Sequence, residues 1–65
     1  MDEATARERI QKLLVTGDNR LKQGAGAVKA RESWEAALAV AREAGLEERV
    51  LPLVELRLAD AERLG

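Results

Sequence analysis

Ala30-Arg31-Glu32-Ser33-Trp34-Glu35-Ala36-Ala37-Leu38-Ala39-Val40-Ala41 is the stretch on which the fold turns. Ala30, Trp34, Ala37, Leu38 and Ala41 fall at steps of four, three, one and three, so a helix puts them on one face. No two-residue alternation of the kind a strand needs runs through it. Trp34 is the only aromatic residue in the chain. Small alanines around one large indole predict close helix contact, with Trp34 filling the widest gap. On such a face the indole reads as core rather than as a ligand-stacking ring.

The neighbouring segments carry the same rhythm. This second helix is expected over about Ala27 to Ala44, with Gly45 as the left-handed residue that ends it. Before it, Gly24-Ala25-Gly26 marks a turn. A first helix is expected over about Glu3 to Gln23, where Ala6, Ile10, Leu13, Leu14, Gly17 and Leu21 form an apolar stripe. Asp2 is a candidate N-cap, and Asp2 and Glu3 lie where the helix dipole favours negative charge. Gly17 costs about 1 kcal/mol against alanine inside a helix, so it predicts close approach of a partner helix. Propensity alone favours alanine at 17, whereas leucine there should overpack. A third helix is expected over about Glu47 to Leu64, with Pro52 either bending it or displacing its start; the longer, bent helix is favoured. Val50, Leu53, Val54, Leu58 and Ala61 should face inward. The fold class is all-α, three helices in one domain over residues 1–65.

Composition narrows the chemistry. A 65-residue chain buries only about 60 % of its unfolded surface. Disulfides cannot add to its stability, since cysteine is absent. With histidine absent too, a structural zinc site lacks its ordinary ligands, and no metal or cofactor is expected. The usual nucleophile–base pairs are missing, because Thr5, Thr16 and Ser33 have no histidine to activate them. The carboxylate pairs Glu32 with Glu35, Glu43 with Glu47 and Glu47 with Glu48 read as solvated, charge-balanced faces. The chain is therefore not expected to be an enzyme, and no catalytic residue is assigned. Gly24-Ala25-Gly26 lacks the Lys-Ser/Thr ending of a phosphate loop.

Charge is uneven beneath a net of −1. Residues 7–31 carry seven basic side chains against Glu8 and Asp18; residues 32–65 carry eight acids against four arginines. With no aromatics among the basic residues, nothing stacks on bases, and nucleic acid is not expected as a partner. Neither a signal-peptide pattern at Met1-Asp2-Glu3 nor an apolar run of about 20 residues is present, so a cytoplasmic protein that does not enter membranes is expected.

From Leu13 to Ala44 the chain resembles a tetratricopeptide repeat, a helical hairpin of roughly 34 residues. Leu13 and Gly17 match the first helix of that family, Gly24 the turn, and Ala30, Trp34 and Ala37 the second helix with its steps of four and three. The Gly24-to-Ala30 interval is one residue longer than usual, Arg20 stands where an aromatic is common, and no proline closes the second helix. The third helix, with Pro52, does not repeat the pattern and reads as a capping helix. The resemblance implies an interaction module that binds a peptide or protein segment on a concave face built from the first helix. Gln11, Asp18 and Lys22 would be outward polar positions lining that face.

A second function class stays open. Leu46, Val50, Leu51, Leu53, Val54, Leu56, Leu58 and Leu64 place more large aliphatics on the third helix than one stripe holds, and Val15 and Val40 also fall on or near outward faces. Leu51 and Leu56 lie outside the stripe and form a candidate association surface. On that reading the chain is a structural homodimer, or a piece of a longer helical repeat array.

Overall fold

The computed structural model describes residues 2–24 and 26–64, Leu64 through its backbone only. Met1, Ala25 of the first turn, Gly65 and the Leu64 side chain thus lie outside the described residues. Three helices follow one another: α1 (Glu3–Lys22), α2 (Ala27–Ala44) and α3 (Glu47–Leu64). No strand occurs among the described residues, and the all-α expectation holds.

Local chemistry sets each boundary. The Asp2 carboxylate caps α1, accepting the Thr5 amide at 2.8 Å and the Thr5 hydroxyl at 3.1 Å. α1 stops one residue earlier than expected, at Lys22, because Gln23 is its C-cap and Gly24 then turns to φ +74°. α2 ends in a Schellman motif: the Leu46 amide donates to Ala41 O at 2.7 Å and the Gly45 amide to Arg42 O at 3.3 Å. That motif needs a left-handed residue, and Gly45 supplies it at φ +73°. Leu46 follows directly into the core.

α3 runs unbroken from Glu47 through Pro52, as the longer alternative required. Proline donates no backbone hydrogen bond, so the Glu48 carbonyl loses its partner four residues on. Both residues are exposed, so water can take that place.

The hydrogen bonds at Asp2 hold its carboxyl below its ordinary value of 3.8, the Thr5 amide being the largest cause. A lowered folded-state pKa means that the cap's contribution is complete above the unfolded value and is lost as pH falls through the lowered one. The Thr5 amide proton shift, followed by NMR in acid, should therefore titrate with a midpoint below 3.8. A midpoint at or above that value would show that the cap does not form.

α2 packs against both other helices, whereas the α1 and α3 backbones barely approach each other. The core holds Ala6, Ile10 and Leu14 from α1, Ala30, Trp34, Ala37 and Ala41 from α2, and Val50, Val54 and Ala61 from α3. Five of these are alanines, which lets helix axes come near the short end of their usual 8–10 Å separation. Two expectations fail at the edges. Val40 is not outward but packs against the core. Leu53, expected inward, is 45 % exposed, since the α1 and α3 backbones barely approach each other. Val15 is exposed as expected.

Candidate functional site

Trp34 organises the centre of the molecule. Its side chain is 1 % exposed and lies across Gly17, where the missing side chain leaves room for the ring. The indole Nε1–H donates to Leu14 O at 3.3 Å and to Asp18 Oδ1 at 3.1 Å. A buried indole N–H left without an acceptor is costly, so these two oxygens fix the ring's orientation. Asp18 is in turn gripped from α3. Arg57 Nε donates to Asp18 Oδ1 at 3.0 Å and its Nη2 to Oδ2 at 3.3 Å, while Nη1 donates to Leu53 O at 3.1 Å. One carboxylate thus joins α2, through Trp34, to α3, through Arg57.

Above and below this tie, α1 and α3 leave two open hollows. The larger, about 620 Å³, is lined by Asp18, Leu21, Lys22, Asp60 and Arg63. The smaller, about 290 Å³, is lined by residues that include Arg7, Gln11, Leu14, Arg49 and Leu53. Together they make a groove along the α1–α3 seam, interrupted by the Arg57–Asp18 pair.

All three residues expected on a binding face therefore border this groove. Gln11 lines one hollow, and Asp18 and Lys22 line the other. Gln11 and Lys22 are exposed. Asp18 differs from the expectation, because it is not a free outward carboxylate: both of its oxygens are engaged within the fold. Its role in the groove is to hold the floor together.

Arg57 escaped the sequence reading, although a signal for it exists. It stands seven residues after Val50, three after Val54 and four before Ala61, an arginine on the apolar stripe of α3. Such a residue needs an internal acceptor. Arg20 has a comparable part: its guanidinium donates to Ser33 Oγ at 3.1 Å and Lys29 O at 3.3 Å, which pins the end of α1 to the start of α2.

The central pair can be ranked by mutation. Asp18→Ala takes an acceptor from a buried indole and should cost about 1–3 kcal/mol. Arg57→Ala removes a half-exposed ion pair but leaves the indole bonds in place, and should cost about 1 kcal/mol or less. Urea unfolding of both variants checks the order. An Arg57 variant less stable than the Asp18 variant would reverse this account.

Leu51 and Leu56 are both exposed, at 36 % and 63 %. Five helical residues turn the chain about 140° past a full revolution, so the two side chains point to different sides of α3. Leu56 lies on the groove flank, three residues after Leu53, and Leu51 on the opposite flank. Of the remaining carboxylates, Glu47 pairs with Arg42 at 2.6 Å, and Glu32, Glu35, Glu43 and Glu48 are exposed. Among the described residues no group of three carboxylates could hold a metal ion, and no helix is long and apolar enough to cross a membrane. No family model, curated protein or solved structure matches this chain.

Proposed function

We propose that this chain is a protein-binding module that holds a peptide or protein segment in the groove between α1 and α3, as the tetratricopeptide repeats do that its α1–α2 hairpin resembles. The observation that carries the reading is the groove itself: two hollows in line, walled by exposed side chains from both helices. Its floor is apolar, with Leu21 in one hollow and Leu14 and Leu53 in the other, and its rim is polar, with Gln11, Lys22, Arg49 and Arg63. An apolar base with a few convergent polar groups is the ordinary composition of a binding cleft. The Arg57–Asp18 tie keeps the two walls at a fixed separation, so little ordering is left for the moment of binding.

The test is selection of binding peptides from a random displayed library on the purified protein. Binding of the selected peptides should perturb NMR signals of Gln11, Lys22, Leu53 and Arg63. The double variant Leu53→Lys with Lys22→Glu should weaken them at least about tenfold, the effect of losing about 1.4 kcal/mol, while the circular dichroism stays that of the parent. Peptides that bind the double variant equally well would place recognition elsewhere on the molecule.

A further inference from the structure

The two hollows of the groove differ in charge. In the larger, acids and bases balance: Asp18 is held by Arg57 and Asp60 pairs with Arg63, leaving Lys22 without an ion pair among the described residues. The smaller hollow has no carboxylate among its lining residues. Its ionisable side chains are Arg7 on the α1 wall and Arg49 on the α3 wall, with the Gln11 amide one helical turn on from Arg7. All three are exposed. Arg49 makes no ion pair among the described residues. Arg7 makes one, to Glu3 at 3.4 Å, between side chains that are both more than half exposed. Such a surface pair within one helix holds weakly and yields easily to a better acceptor.

Beneath the two arginines the hollow is aliphatic. Ile10, Leu14, Leu46 and Val50 form its buried base, and Leu53 stands 45 % exposed at its side. Covering Leu53 takes apolar surface out of water, and a carboxylate at the rim gives each guanidinium the planar acceptor that it binds best. A neutral apolar segment would meet the base but strip water from the arginines without replacing it. A basic segment would face like charge, which costs affinity at any interface. A phosphate backbone would meet the arginines and leave the aliphatic base wet. The net charge of the chain is −1, so the preference for an acid is local to this hollow rather than a property of the whole surface.

We propose that the segment held in the groove is both acidic and apolar: an aliphatic or aromatic side chain seats in the smaller hollow, and an aspartate or glutamate beside it meets Arg7 and Arg49. This rests on the groove being a docking surface and adds the chemistry of the partner and the end at which its acid lies. At about 290 Å³ the hollow has room for such a side chain, since a cavity of about 150 Å³ holds benzene. The charge-balanced larger hollow adds contact area and little charge selection.

The test runs the displayed-peptide selection in parallel on the parent and on the charge-swapped variant Arg7→Glu, Arg49→Glu. Peptides from the parent should carry Asp or Glu next to a large apolar residue, and those from the variant Lys or Arg in its place. Parent-selected peptides are then synthesised with both ends blocked, so that only side chains carry charge. Replacing their Asp or Glu by Asn or Gln, or using the protein variant Arg7→Gln, Arg49→Gln, should weaken binding at least about tenfold. The two changes together should cost little more than either alone, as for groups that act on each other. Lys22→Gln, in the larger hollow, should weaken binding less than about threefold. All three substituted positions are exposed, and circular dichroism verifies the fold of each variant. Parent-selected peptides without an acid, or acidic peptides indifferent to the two arginines, overturn the proposal and leave the groove reading standing. A selection that yields no peptide on either protein removes the groove reading, and this proposal with it.

Discussion

Trp34→Ala should leave this protein largely unfolded. Deleting a large core aromatic costs about 3–5 kcal/mol, and a domain of this length has a total stability of about 3–10 kcal/mol. Three features place Trp34 toward the upper end of that cost. It is the largest fully buried side chain. It lies against Gly17, which has no side chain to move into the cavity. Its removal also leaves Asp18 with one partner fewer at the point where the three helices meet. Trp34→Phe separates packing from hydrogen bonding: it keeps an aromatic ring and loses the N–H, and should fold with about 1–3 kcal/mol less stability. Circular dichroism with urea unfolding reads both. A Trp34→Ala variant with a cooperative transition near the parent's would show the indole to be dispensable.

Gly17→Ala should destabilise the protein, contrary to what helix propensity alone suggests. A Cβ at position 17 would lie 2.4 Å from Trp34 Nε1, 2.6 Å from Trp34 Cδ1 and 2.9 Å from the Ala30 carbonyl oxygen. The ring cannot swing aside, because its N–H is held by Leu14 and Asp18. The Ala30 oxygen is backbone and cannot move without α2. The helices must therefore separate, at a cost of about 1–3 kcal/mol or more, against a propensity gain of about 1 kcal/mol. The net loss should show as a lower urea midpoint with an unchanged slope. Gly17→Leu, with three further carbons directed at the same ring, should not fold. An alanine variant at least as stable as the parent would mean that α1 and α2 slide apart without penalty.

The candidate site divides between what neighbours in sequence determine and what they do not. Gln11 and Lys22 were legible as polar positions beside the α1 stripe, and both border the groove. The Asp18 position was legible too, but not its partners. Arg57 is 39 residues away and Trp34 is 16, and nothing local connects them. The sequence pattern groups Leu53 with Val50, Val54, Leu58 and Ala61 as inward. Only the distance that α3 keeps from α1 decides that it borders an open groove instead.

By itself the sequence determined the three helices, most of their ends and the need for glycine at 45. Each depends on interactions within about four residues: the 3.6-residue repeat, the Asp2 cap, the left-handed turn at Gly45. Such interactions are the same wherever the helix lies. The tertiary structure decided that Asp18 is an internal tie, that Arg57 completes it, and that Val40 is covered and Leu53 is not. Burial there depends on how far α3 stands from α1 once both have packed on α2. That separation is set by the sum of the alanine contacts along α2 and by one arginine reaching one carboxylate, and no periodicity within a single helix encodes it.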